Sequence, residues 1–419
     1  MRSLIRPVLL TAALSVLVTS SALAADQVDR SVLASANPMF HVPTAPAGTH
    51  IATQGNNGTL GVDSVVNFSS YFYAEAPQDP LYFGFSWPYT MVGRSPFQGE
   101  GFEGFEGPTF IDAPVVPVTV TLLDQNGNVR QGPKGPLVQS ASALVQPTLR
   151  SPVFSPTFYT SSNFPTQFTD AVQRASFYNL TNQGWHTLLV PRVLKPQNIS
   201  VPYGFYAYAL NADGTCCDFI LVDYNTFGAL LFPATATDMT TPLGILENTG
   251  QINTSSITTL LFNNIYLYEG TLSQCCVLGY HSYDLEPGSA KNGYREKRYV
   301  MNYSSWISPG LFRGGLADVT ALSHELAETF ADPFVANQTP IWLAPNGVCQ
   351  NNLEVGDVIE NLPNGIHTMT LNGATYHPQN VALLQWFADT TPSNAVGGMY
   401  SYPDPVLTSP AYYANGACQ

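Results

Sequence analysis

The chain has 419 residues and sets 29 acidic side chains against 15 basic ones, a formal net charge of −14. Such a surface repels nucleic acid and anionic membranes, so neither is an expected partner. Charged residues make up only 11% of the chain, against roughly a quarter in typical globular domains, while aromatics reach 12% alongside 33 Gly and 33 Pro. That composition belongs to short strands joined by many turns and not to a disordered chain.

The chain opens with Arg2 and Arg6, an apolar run from Val8 to Val18, and then Ser20-Ser21-Ala22-Leu23-Ala24. A basic start, a short apolar core and an Ala-x-Ala ending read as a secretory signal spanning residues 1–24 and cut after Ala24. The expected location is therefore secreted, extracellular or periplasmic. No later stretch approaches the length of about eighteen apolar residues that a membrane span requires.

Six cysteines in an exported chain favour disulfides over a thiol catalyst. They stand as the doublets Cys216-Cys217 and Cys275-Cys276, with Cys349 and Cys418 apart. Neighbouring cysteines rarely bond to each other, so the expected crosslinks join one doublet to the other and Cys349 to Cys418. Sequence alone does not choose among the pairings.

Residues 25–61 are polar and broken by Pro and Gly, and read as an extended, propeptide-like N-terminal arm. Residues 62–150 lean towards strand: Pro114 to Leu123 enters a turn at Asp124-Gln-Asn-Gly-Asn128. The repeat Phe102-Glu-Gly-Phe-Glu-Gly107 reads as a glycine-rich loop. A larger unit, 151–391, begins with a helix near Phe168–Tyr178, whose apolar residues share one face. Strands are expected at Trp185–Val190, Tyr203–Tyr208, Phe219–Asp223 and Cys276–His281, and Ile257–Tyr268 fits either strand or helix. The basic run Lys291–Arg298 reads as a charged turn into a strand. Asn372-Gly373 between Thr368–Leu371 and Ala374–Tyr376 marks a hairpin. Asn380–Phe387 is a short apolar helix or strand, and residues 392–419 form a loop-rich tail held by Cys418.

The chemistry concentrates at Leu322-Ser-His-Glu-Leu-Ala-Glu-Thr-Phe-Ala-Asp-Pro333. At about 100° per residue, Val319, Leu322, Leu326 and Phe330 form one apolar stripe, and His324, Glu328 and Asp332 lie roughly opposite it with Glu325 at their flank. Asp318 is placed as N-cap, and Pro333 discourages further helix. The spacing resembles the zinc-peptidase helix His-Glu-x-x-His, with Glu328 standing where the second histidine would be. Glutamate is an acceptable zinc ligand. A second acidic cluster, Glu354-Val-Gly-Asp357-Val-Ile-Glu360, follows on a turn.

His324-Glu-Leu-Ala-Glu328, Asp332-Pro333, Trp342 and Glu354-x-Gly-Asp357, with the ending Gln385-Trp386-Phe387, together resemble the exordium-like (phosphate-induced) extracellular proteins and related secreted bacterial proteins. The likeness spans Pro165 to Ala388 and is specific from Leu322 to Glu360. Plant members often carry Asn at the position of His324, and their roles concern cell-wall-linked growth. The helix with a carboxylate about 26 residues downstream is also similar to gluzincin-type peptidases. That resemblance implies His324 and Glu328 as zinc ligands, Glu354 or Asp357 completing the coordination, and Glu325 as general base. His281, His367 and His377 are remote candidates for the metal or for oxyanion support.

The expected fold class is α+β, a β-rich N-terminal region followed by a zincin-like domain around a central metal-binding helix. The expected function is a zinc-dependent hydrolase acting on polypeptide. The alternative is a non-catalytic cell-wall-associated protein with a structural Ca2+ site, since several carboxylates together suit calcium. Oligomeric state is not readable from the sequence.

Overall fold

The computed structural model of the chain describes residues 27–40, 61–74, 86–97, 107–412 and 418. The expected signal, 1–24, and most of the Phe102–Gly107 loop lie outside the described residues. The fold is mixed α/β around a largely parallel central sheet. Among the described residues no helix is long and apolar enough to cross a membrane.

The sheet is built on the strand Thr109–Leu122, whose Val115, Val116, Val118 and Val120 are all buried. Branched residues on both faces suit a strand covered on both sides. It runs parallel to Ile257–Asn263 on one flank. On the other flank it runs parallel first to Thr187–Val193 and then to Gln197–Val201. Ile257–Asn263 lies parallel to Glu296–Trp306, which pairs antiparallel with Gly279–Glu286. The eight-stranded sheet thus draws on segments from both sides of residue 150.

The ambiguous stretch Ile257–Tyr268 is two strands, Ile257–Asn263 and Ile265–Tyr268. They part at Asn264, where a φ of 48° carries the chain from the large sheet into a second one of four strands. That second sheet contains Tyr206–Ala209, Phe219–Asp223, Ile265–Tyr268 and Cys275–Val277. Strand alternation divides it: Ile220, Val222, Ile265 and Leu267 face the large sheet's core, while Phe219, Leu221, Tyr266 and Tyr268 face a separate cluster with Leu33 and Phe40 of the N-terminal arm.

The helix Thr320–Ala331 packs on the strands Gly279–Glu286 and Glu296–Trp306, and against the helix Phe168–Ser176. Its stripe of Val319, Leu322, Leu326 and Phe330 joins one cluster with Tyr283 and Val300, as the periodicity predicts. Each large apolar side chain so buried contributes roughly 1.5–3 kcal/mol of transfer free energy. The opposite face is not solvated: every residue of this helix is buried. Asp318 is not the N-cap, a position that falls to Val319. With φ at 41°, Asp318 instead turns its carboxylate onto the amides of Val319 (2.7 Å) and His377 (2.9 Å).

The disulfides correct one expectation. Each doublet closes on itself, Cys216 with Cys217 and Cys275 with Cys276. A cis peptide bond in each brings the two Cα atoms to 3.0 Å, so that adjacent sulfurs can meet. Cys349 pairs with Cys418 at a Cα separation of 5.6 Å, pinning the tail as expected. Asn372 and Gly373, both with positive φ, close the hairpin between Met369–Leu371 and Ala374–Tyr376.

The short helix Pro242–Asn248 buries Glu247 near Asp284 and Glu286. Burial, and then the charges of Asp284 and Glu286, push Glu247 up to about 9. A carboxyl raised in the folded state binds more protons there than in the unfolded chain, so stability falls as pH climbs from the ordinary carboxylate range towards 9. Glu247→Gln should therefore raise Tm at pH 8 and gain much less at pH 4, measured by thermal melts across that window. An equal gain at both pH values would contradict this account.

Candidate metal centre

Four elements converge on the face of the central helix opposite its leucine stripe. The helix supplies His324, Glu325 and Glu328; the edge strand Gly279–Glu286 supplies His281; the turn after Leu353 supplies Glu354 and Asp357; the N-terminal arm lays Phe40 against them. None of these residues is more than 9% exposed.

Two glycines make the approach possible. A Cβ on Gly279 would stand 2.6 Å from Glu325 Oε1, and one on Gly356 would stand 2.5 Å from the His324 ring. Side chains at either position would push the carboxylate or the imidazole out of place. Strand alternation then points His281 the same way as Gly279, towards the helix.

The turn is fastened to the helix through Glu328. Its Oε1 accepts the backbone amides of Gly356 (3.0 Å) and Asp357 (3.2 Å). Gln379 donates to the Gly356 carbonyl, and Asn346 donates to the carbonyls of Asp357 and Glu360. The other oxygen of Glu328, Oε2, lies 3.0 Å from His324 Nε2 and 3.5 Å from His281 Nδ1. Asp357 Oδ1 stands 3.4 Å from His324 Nε2. Glu354 Oε2 faces His281 instead, 3.7 Å from its Nε2, and Glu325 Oε2 is 3.7 Å from His281 Nδ1. His281 Nε2 also bonds to the Asp332 carbonyl at 3.0 Å.

These separations fit a shared cation. Ligands on one tetrahedral zinc, bonded at roughly 2.0–2.1 Å, sit about 3.3 Å from one another. Donor atoms of His324, Glu325 and Glu328, and again of His281, Glu328 and Glu354, all lie within 4.8 Å of one another in each group. Buried polar atoms are nearly always hydrogen-bonded, yet both ring nitrogens of His324, both oxygens of Glu325 and Glu354 Oε2 have no hydrogen-bond partner. A cation held by either group would supply a partner to one His324 nitrogen or to the carboxylate oxygens that face it. The cluster can hold a metal ion.

Electrostatics point the same way. Burial opposes a charge on His324, but Glu328 and Asp357 outweigh it and hold its pKa well above the ordinary histidine value. For His281, burial is likewise overcome by Glu354, Glu325 and Glu328. Burial pushes Glu325 up to about 8 against the pull of His281 and His324, and raises Glu354 as well. Buried carboxylates in this number need cationic partners, and without a metal the two imidazoles must supply them.

The sequence-expected residues His324, Glu325, Glu328, Glu354 and Asp357 are thus brought together, with Asp357 on the His324 side and Glu354 on the His281 side. Asp332 is directed elsewhere: its carboxylate caps the amides of Ala336 (2.9 Å) and Asn337 (3.0 Å). His281, from the remote trio, joins the site. The other two pair off, His367 with Asp404 (2.8 Å) and His377 with Asp318 (2.6 Å). The sequence signal for His281 was its place two residues after Gly279 on an extended segment, which puts both on one face.

No family model, curated protein or solved structure matches this chain.

Gly356→Ala tests the packing of the site. The added methyl has to displace the His324 ring or the turn, an overpacking of about 1–3 kcal/mol. The expected result is a lowered Tm together with weakened divalent-metal binding by calorimetry. Unchanged values for both would show that the turn yields freely.

Proposed function

We propose that the chain is an exported metal-dependent hydrolase, a zinc peptidase with His324 and Glu328 as ligands and Glu325 as general base. The observation that carries this reading is a buried imidazole and carboxylate 3.0 Å apart, beside a glutamate whose two oxygens lack hydrogen-bond partners. Asp357 completes the ligand set on the His324 side, and His281 and Glu354 border it. Imidazole donors favour zinc over calcium, which prefers oxygen alone.

When bound, zinc supplies Lewis acidity to a water and to a substrate carbonyl. The chain's own residues do the rest. Glu325 would take the proton of the attacking water and pass it to the leaving amine. Gly279 leaves the space in which the carboxylate sits. The Gly356 and Asp357 amides keep Glu328 from rotating away. The Asp332 carbonyl holds His281 Nε2, so that Nδ1 faces the carboxylates, as an outer partner orients a metal-site histidine.

Near-complete burial of the donors favours a second reading, a structural cation in a non-catalytic, exordium-like extracellular protein. The two readings diverge under substitution. Under the hydrolase reading, purified protein carries stoichiometric zinc, and Glu325→Gln keeps the metal while lowering kcat on a peptide library about 10²–10⁴-fold. Glu328→Gln loses the metal and the activity together. Zinc-free protein, or unchanged turnover in Glu325→Gln, overturns it. Calcium-dependent thermal stabilisation without hydrolysis supports the structural reading.

A further inference from the structure

Phe40 of the N-terminal arm lies directly on the candidate metal centre, and residues 38–40 are attached in the manner of a bound peptide. Met39 forms a parallel bridge with Val277: its amide donates to the Cys276 carbonyl at 2.7 Å, and its carbonyl accepts the Leu278 amide at 2.7 Å. Cys275 and Val277 pair with Ile265–Tyr268 on the other flank, so Met39 takes the outer edge of the second sheet. One residue earlier, the Pro38 carbonyl accepts from Asn361 Nδ2 at 3.1 Å, next to Glu360 at the end of the acidic turn. One residue later, the Phe40 ring stacks on His324 with centroids 4.4 Å apart and planes 26° from parallel. Phe40 is 1% exposed and His324 is fully buried.

We propose that this edge, from Cys276 to Leu278, with the apolar seat over His324, is a binding groove for an extended polypeptide carrying an aromatic side chain, and that residues 36–40 occupy it as a tethered stand-in. The proposal rests on the hydrolase reading of the same site and names its substrate class and its regulation. Three features argue for it. The hydrogen bonds at Met39 and Pro38 use the arm's backbone groups, which any extended peptide offers, as in recognition by strand addition. Side-chain discrimination falls most directly to Phe40, whose ring lies on a candidate ligand, while Met39 packs against the core of the large sheet. With every donor buried, a polypeptide reaches the centre only if a covering element leaves, and among the described residues the arm's polar hold at Pro38 and Met39 is one bridge and one side-chain bond. A cavity of about 250 Å³ lined by Ala36, Asn37, Pro38, Ile359 and Gln379 runs beside it, which leaves the arm free space on that flank.

The test uses the full-length chain with Phe40→Ala and, separately, Met39→Pro, which removes one amide and a half-buried side chain but leaves the Phe40 ring, and carries the test where Phe40→Ala melts. The probe is an amidated, fluorescent peptide of the sequence Ser35–Phe40. Both variants are expected to exchange the Leu278 amide at least about tenfold faster than the parent, and to bind the probe about tenfold or more tightly than the parent does. Bound probe should restore Leu278 protection. Unchanged Leu278 exchange in both variants, or probe binding no tighter than in the parent, overturns the proposal. Activity separates the two readings: tight probe binding by zinc-loaded variants that hydrolyse nothing removes the hydrolase reading and upholds the groove. Hydrolysis by the parent that neither variant accelerates removes the groove assignment.

Discussion

Glu328 joins three elements of this structure through one buried carboxylate. It is 1% exposed and is held from opposite directions, with two backbone amides of the acidic turn on one oxygen and two imidazoles on the other. A lone carboxylate in such a place would be driven to the neutral form, yet here it stays on the acidic side of its ordinary range: burial works against its charge, and His324 and His281 prevail. The helix, the edge strand and the turn therefore share one charge-neutralising junction. Moving any of the three leaves a buried charge uncompensated, which is among the costliest single defects a core can suffer.

Much of the local structure was legible in the sequence. The helix followed from the spacing of Leu322, Leu326 and Phe330, the hairpin from Asn372-Gly373, and the central strand from its run of valines. Convergence was harder to read. Glu354 and Asp357 sit three residues apart on a turn, and no periodicity reveals that one faces His281 and the other His324. Their directions are set by where the Gly356 and Asp357 amides meet Glu328, a contact between segments 28 and 29 residues apart. His281 lay hidden for a related reason: a histidine on a strand has one of two faces, and which face looks at the helix depends on a pairing register that only the assembled sheet supplies.

Asp318 shows how tertiary geometry overrides local habit. It had the composition of an N-cap and serves instead to tie His377 to the start of the helix. A polar residue reads as surface until its partner arrives from far along the chain.

The placement of Thr109–Leu122 imposes an order on assembly. Parallel strands require long crossover connections, and this strand's partners lie at 187–201 on one flank and 257–263 on the other. The strand bearing His281 and the helix bearing His324 come later still. Such non-local pairing makes for slow folding. After a short antiparallel pairing with Val138–Ser140, the valine-rich strand waits for 187–201 on one flank and for 257–263 on the other, and the turn that carries Glu354 and Asp357 follows all of them in the chain. A chain stopped short of Asp357 would own every strand of the large sheet and an incomplete cluster of imidazoles and carboxylates.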